Sequence, residues 1–177
     1  IGVLQDNGYE LREPYSKHLS EGIFELRAQV GSDISRVLYF FYALVLSHLT
    51  VIYIKQSLGR LSALCGCVVA STGSSCGITY LMGGNYDQVA MAVKNMIGNL
   101  AGMICDGAKP SCALKCASGV STAVVSALMA MTGRCVKSVE GIIDDDVDRS
   151  IRNLTDIGRD AMMQTDAMIL KIMTSKS

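Results

Sequence analysis

Tryptophan is absent from this 177-residue chain, and aromatic residues make up only 6% of it. Charge is scarce too, at 18% of residues, while half of the chain is hydrophobic. A chain with so little charge and so much apolar surface supplies a core easily, which argues against intrinsic disorder. Neither sign of charge is in excess: 16 basic residues balance 16 acidic ones. That balance removes the electrostatic reason to expect nucleic acid as a partner of the whole chain. No secretory segment, internal repeat or low-complexity tract is recognisable. The expected setting is a reducing cytoplasm, where 7 cysteines, an odd number, read as metal ligands or reactive thiols sooner than as disulfides. Glycine, alanine and methionine are plentiful, a composition suited to helices whose backbones approach closely.

The pattern changes once along the chain. Residues 1–42 read as α+β: a short helix from Ile1 to Asn7, a loop punctuated by Gly8 and Pro14, then two β-rich runs. Ile23 to Val30 alternates with period two, Gly31-Ser32-Asp33 makes a turn, and Ile34 to Tyr42 follows, so a β-hairpin is expected. So few elements cannot bury a core alone. From Ala43 the pattern is helical, which makes the expected fold mainly α. Ala43 to Leu58 stops at Gly59, and Ser71-Thr72-Gly73 divides two short pieces, Ser62 to Ala70 and Ser75 to Met82. Asn85 is suited to cap a run from Tyr86 to Cys105. Ser111 to Met131 is apolar nearly all round and is expected to be buried. Asp145 to Met173 reads as one amphipathic helix with Val147, Ile151, Leu154, Gly158, Met168 and Ile172 on its apolar face. Asp144-Asp145-Asp146 caps its N-terminus. The stretch Val37 to Ile54 approaches the length of a membrane span. Ser47, His48 and Thr50 interrupt it, and a buried strand followed by a buried helix is the preferred reading, with no membrane partner.

The residues suited to chemistry lie in Gly102-Met103-Ile104-Cys105-Asp106-Gly107-Ala108-Lys109-Pro110-Ser111-Cys112-Ala113-Leu114-Lys115. Cys105 and Cys112 flank a Gly- and Pro-containing loop between two helices. A helix N-terminus at Cys112 offers free N–H groups and the positive end of a dipole, both of which favour a thiolate. Upstream, Leu64-Cys65-Gly66-Cys67 supplies further thiols. Three thiolates on an iron–sulfide cluster leave one iron open, and an open position turns a structural metal into a Lewis acid. Two other readings stand beside this one. Free cysteines often serve as small buried hydrophobes, and zinc also takes thiolates, although this spacing is not that of a zinc ribbon. Cys76, Cys116 and Cys135 lack the loop context and read as core or incidental.

These strings, together with Gly59-Arg60-Leu61-Ser62-Ala63, Ser75-Cys76-Gly77-Ile78, Leu81-Met82-Gly83-Gly84 and the helix around Asn153-Leu154 and Gly158, closely resemble the serine dehydratase-like α-chain family. That family includes L-cysteine desulfidase and bacterial proteins of the UPF0597 type. The resemblance covers residues 43–177. It implies a helical domain holding a [4Fe–4S] cluster on three cysteines: Cys105, Cys112 and Cys65, with Cys67 as the alternative third ligand. It also implies α,β-elimination from L-serine or L-cysteine. The open iron would polarise the leaving hydroxyl or thiol, a base would take the Cα proton, and the enamine would hydrolyse to pyruvate and ammonia. Asp106, Lys109 and Lys115 are near enough in sequence to bind a carboxylate or relay a proton, and no motif assigns the base among them.

Family members are longer, and their N-terminal portion contributes to the active site. Here residues 1–42 stand in its position, and they resemble part of a RelE/HigB-like toxin. The resemblance is carried by Leu4-Gln5-Asp6-Asn7-Gly8, by Leu19 to Arg27 and by Ser35 to Phe41. That family is a small α+β ribosome-dependent mRNA endonuclease, and the match makes Arg27 and Arg36 its RNA-binding arginines. The match stops before the family's catalytic strands. The chain begins at Ile1 without Met and is expected to be a fragment or a fused reading frame. A non-catalytic helical remnant or scaffold is the competing expectation, and the large apolar fraction favours a homo-oligomer.

Overall fold

The computed structural model describes residues 16–20, 23–30, 33–59 and 62–176. The expected helix from Ile1 to Asn7 and the turn residues Gly31 and Ser32 lie outside them. Contacts divide the chain into two units, one ending at Val45 and one of Leu46–Ser177.

In the first unit, strands β1 (Ser16–Ser20), β2 (Ile23–Val30) and β3 (Asp33–Phe40) form an antiparallel sheet in the order β1-β2-β3. The expected hairpin is β2–β3, registered from Ile23 opposite Phe40 to Val30 opposite Asp33. Strand β1 was not legible, because Ser16-Lys17-His18-Leu19-Ser20 is short, polar and irregular in register between His18 and Ser20. Phe24 packs edge-on against His18, with ring centroids 4.9 Å apart. Glu25 is buried, and its carboxylate accepts a 2.8 Å hydrogen bond from Arg27 Nε.

Helix α1 (Phe41–Leu58) follows β3 directly. Gly59 ends it with φ +85°, a conformation that L side chains rarely adopt. The apolar stretch from Val37 thus divides between a strand and a helix. Helix α1 is not the buried helix expected: Ala43, Ile54 and Leu58 are buried, while Leu44, Leu49 and Ile52 are exposed. By length and composition alone, α1 and α4 (Cys112–Met131) are both long and apolar enough to cross a membrane.

The second unit is helical: α2 (Gly66–Leu81), α3 (Tyr86–Leu100), α4, α5 (Val147–Asp156), a π-helical turn (Ile157–Ala161) and α6 (Met163–Thr174). Ser71-Thr72-Gly73 does not divide α2. Thr72 Oγ1 bonds back to Val68 O at 2.8 Å, and Gly73 is there for packing. A Cβ at Gly73 would overlap the Ser47 carbonyl oxygen of α1 and stand 2.7 Å from Val51 Cγ2. Along the other side, α2 meets α4 through small residues a turn apart. Cys67 faces Cys116, Ser71 faces Gly119, and Ser75 Oγ donates to Ala123 O at 3.1 Å. A Cβ at Gly119 would overlap Ser71 Oγ, so glycine sets how closely the helices approach.

Helix α3 starts with a reciprocal capping box, Asn85 Oδ1 accepting from Gln88 N and Gln88 Oε1 from Asn85 N, both at 3.0 Å. Its buried face carries Ala92, Val93, Met96, Ile97 and Leu100. Each large side chain buried there contributes roughly 1.5–3 kcal/mol over leaving it exposed. Asn95 is the buried polar exception. Its amide donates to Ser126 O (3.3 Å) and Arg134 O (3.1 Å), and its oxygen accepts from Val136 N (2.9 Å). The one side chain thereby ties α3 to α4 and to the chain that leaves α4.

Helix α4 differs from expectation in being half-exposed. It buries Gly119, Ala123, Ser126, Ala127 and Ala130 and leaves the larger Leu114 (72% exposed) and Val120 (57%) outside. Asp146 caps α5 by accepting from Asp148 N at 2.8 Å, as the acidic run predicts. The expected single C-terminal helix is broken by the π turn. There Gly158 lies so close to Leu58 that a Cβ would overlap Leu58 Cδ1, and its carbonyl accepts from Ser62 Oγ at 2.6 Å. Past that turn α6 has no buried residue, so Met168 and Ile172 do not continue the buried face of Ile151 and Leu154.

Candidate functional site

The loop that carries Cys105 and Cys112 is built from its ends. Helix α3 stops at Leu100, short of the Cys105 expected, because Met103–Cys105 runs extended beside Ala63–Cys65. Cys65 N donates to Met103 O at 3.0 Å, Cys105 N donates to Ala63 O at 2.6 Å, and Leu64 and Ile104 form an antiparallel bridge. This pairing sets the Cys65 backbone opposite Met103 and the Cys105 backbone opposite Ala63, one residue to either side of the Leu64–Ile104 bridge. Gly107 then turns the chain with φ +91°, against Met173 of α6. Cys112 N, Ala113 N and Leu114 N donate to Lys109 O, Pro110 O and Ser111 O at 2.9–3.1 Å. The free N–H groups expected at Cys112 are therefore already used in the tight first turn of α4. The Cys112 thiol lies 3.7 Å from Gly107 O, so it points back into the loop.

The three charged candidates form one cluster. Lys115 Nζ donates to Asp106 Oδ1 at 2.6 Å and to Ile104 O at 2.8 Å, pinning α4 to the extended segment. Lys109 Nζ pairs with the other oxygen, Asp106 Oδ2. Hydrogen bonds from the two ammonium groups hold the Asp106 carboxyl well below the usual carboxylate range. The bond to Asp106 also raises Lys115 above the usual lysine range, and the Cys65 and Cys112 sulfurs push the same way. Asp106 and Lys109 line a cavity of about 360 Å³ whose other walls are Ile169, Ile172, Met173 and Lys176. The C-terminal helix was assigned no part in the site by sequence, and it supplies the apolar wall. A lysine at Lys176, one turn past Ile172, was the available signal.

The remaining thiols separate by environment. Cys67 Sγ stands 3.4 Å from Cys116 Sγ, with Cys65 also within reach. Burial first, then the hydrogen bonds with Cys116 and Cys65, pushes the Cys67 thiol up to about 12. Cys76 is core, as expected, and burial raises it to about 11. Half-buried Cys135 donates to Val136 O at 3.2 Å. Cys116, set aside by sequence, is exposed and has a thiol neighbour. Among the described residues no three His, Cys, Asp or Glu side chains converge closely enough to hold a single metal ion.

The sequence profile described as serine dehydratase alpha chain matches residues 26–171. The chain belongs to this family. Over 134 residues it is 80% identical to a UPF0597 protein of Bacteroides thetaiotaomicron, 69% to one of Porphyromonas gingivalis and 54% to one of Shewanella halifaxensis. Each match takes in 76% of this chain and 31% of the relative, so the chain spans about a third of these curated relatives. No solved structure matches significantly. The profile match begins inside β2 and takes in both Arg27 and Arg36, so these residues fall within the serine dehydratase match and no comparison supports the toxin resemblance expected of them. Arg27 is engaged with the buried Glu25 carboxylate, and the Arg36 side chain lies outside what is described.

Proposed function

We propose that residues 43–177 form the thiolate-bearing part of an iron–sulfur-dependent lyase. Its reaction would be α,β-elimination from L-serine or L-cysteine to pyruvate and ammonia, with sulfide released from cysteine, in the cytoplasm. The observation that carries this reading is the pairing of Ala63–Cys65 with Met103–Cys105, closed by a loop that returns Cys112 to the same end of the helices. Soft sulfur donors on three separate segments suit a cluster, which is wider than one ion and takes its thiolates from farther apart. They do not suit a lone zinc ion, since no three ligands converge closely among the described residues. Cys65, Cys105 and Cys112 are the proposed ligands. Cys67 is the weaker third candidate, because its thiol is engaged with Cys116. A bound cluster supplies a Lewis acid at the iron no thiolate holds.

The chain's own residues would do the rest of the binding. Lys109 and Lys176 border the cavity and offer ammonium groups for a substrate carboxylate, and about 360 Å³ accommodates a small amino acid. Asp106, kept ionised by two lysines, is too weak a base to take a Cα proton. Lys115 is kept charged and braces the loop. Both act as positioning residues on this reading, and we assign the base to the two-thirds of the family length that the chain does not span. The missing convergence of ligands favours one other reading, a helical scaffold that folds without a cluster.

The test is anaerobic cluster assembly on this chain mixed with the remaining segment of a UPF0597 relative, followed by assay of pyruvate from serine and sulfide from cysteine. Turnover that disappears with Cys105→Ala supports the lyase. A fully loaded mixture that turns over neither substrate contradicts it.

A further inference from the structure

Outside the proposed ligands, the structure brings two thiols from different helices into contact. Cys67 sits in the first turn of α2 and Cys116 in the second turn of α4. Their sulfurs stand 3.4 Å apart, against about 2 Å in a disulfide. The proximity is enforced by the packing next to it. One turn along each helix Ser71 meets Gly119, where no Cβ fits, and one turn further Ser75 bonds to Ala123 O. The helices therefore cannot separate at the cysteines without breaking this contact. Cys116 is exposed and open to a small oxidant, whereas Cys67 lies beneath it, half-buried.

We propose that Cys67 and Cys116 are a modification site at which a hydroperoxide forms a reversible disulfide stapling α2 to α4. The Cys116 sulfur attacks the peroxide, the O–O bond breaks, and Cys116 becomes a sulfenic acid as one water leaves. Across the 3.4 Å contact, Cys67 Sγ then displaces the hydroxyl of that sulfenic acid, its thiol proton passing to the departing hydroxyl, so that the S–S bond forms as a second water leaves. Two thiols are oxidised and one peroxide is reduced to two waters. None of this rests on the lyase reading, because the pair requires no cluster.

The experiment uses the full 177-residue chain, stripped of metal, reduced, and then treated with stoichiometric hydrogen peroxide. Non-reducing digestion and mass spectrometry should find one peptide joining Cys67 to Cys116, lighter by two hydrogens, with two of the 7 thiols lost and both restored by dithiothreitol. Cys116→Ser should abolish the cross-link and leave Cys67 as a free thiol. A cross-link joining Cys67 to Cys65, or Cys105 to Cys112, in its place would overturn the proposal. So would oxidation of Cys116 to sulfinic acid with Cys67 still free. Both outcomes are read on the parent chain, so a poorly folding variant does not obscure them.

Discussion

Replacing Gly73 by alanine tests the packing on which the whole helical unit rests. The substitution sets two effects of opposite sign against each other. In a helix interior alanine is favoured over glycine by about 1 kcal/mol, so an unhindered site would gain stability. Gly73 is hindered, because its new Cβ would overlap the Ser47 carbonyl oxygen and stand 2.7 Å from Val51 Cγ2. Neither obstacle is a flexible tip: one is backbone in α1 and the other a β-branched side chain with a stiff χ1. Relief requires α1 to move, and α1 is held by Ile54 and Leu58, both almost completely buried. Overpacking of this kind costs about 1–3 kcal/mol, and rigid obstacles belong at the upper end. The net expectation is a loss of about 2 kcal/mol once the helix-propensity gain is deducted. For a chain of this size that is a fall in Tm of about 4–8 °C. Far-UV circular dichroism during thermal unfolding reads it directly. Gly66→Ala is the control in the same helix, with nothing within 4 Å of its Cβ, and should be neutral or slightly stabilising. If Gly73→Ala unfolds at or above the parent's Tm, the close contact between α1 and α2 is wrong.

Other outcomes follow from the same geometry. Asn95→Ala should cost about 2 kcal/mol, since it removes one buried and two partly buried hydrogen bonds; urea unfolding measures it. Lys115→Met keeps the stem but removes the bonds to Asp106 and Ile104 O, and at a partly exposed site should cost about 1 kcal/mol. Faster amide hydrogen exchange at Cys105 would show the extended segment loosening. The Cys67 thiol, raised to about 12, should resist alkylation until pH climbs toward that value. Its folded pKa lies above its unfolded one, so the stability it contributes is present below the ordinary thiol value and is lost as pH rises from there to about 12. Mass mapping that finds Cys67 alkylated readily at neutral pH would contradict the environment described. The exposed apolar side chains of α4, among them Leu114 and Val120, should drive self-association. A strictly monomeric chain in sedimentation at high concentration would count against that.

Local signals in the sequence reached the elements more surely than their contacts. Asn85 and the run Asp144-Asp145-Asp146 announced helix starts because capping is settled within one turn. Gly73 misled, because a glycine that stops a helix and one that admits a neighbouring helix look alike until the neighbour, Ser47, is known. The length of α3 was overestimated because Met103 and Ile104 are apolar enough to extend it. Their pairing with Cys65 and Leu64 is a contact about forty residues away in sequence. Cys105, Asp106, Lys109, Cys112 and Lys115 were legible as a group, since they share one short stretch from the loop into the first turn of α4. Cys116 was not, because its partner lies on a different helix. Nor was the wall formed by Ile169, Ile172 and Met173, where exposed apolar residues of α6 face the loop.

The central claim is that Cys65, Cys105 and Cys112 hold a cluster, and iron and acid-labile sulfide content after anaerobic reconstitution tests it most directly. The parent chain should carry equal amounts of iron and sulfide, and Cys65→Ala, Cys105→Ala and Cys112→Ala should each lose them while Cys67→Ala and Cys76→Ala keep them. A parent that takes up no iron above the level of the Cys105→Ala variant, while folded by circular dichroism, would contradict the account and leave a helical scaffold in its place.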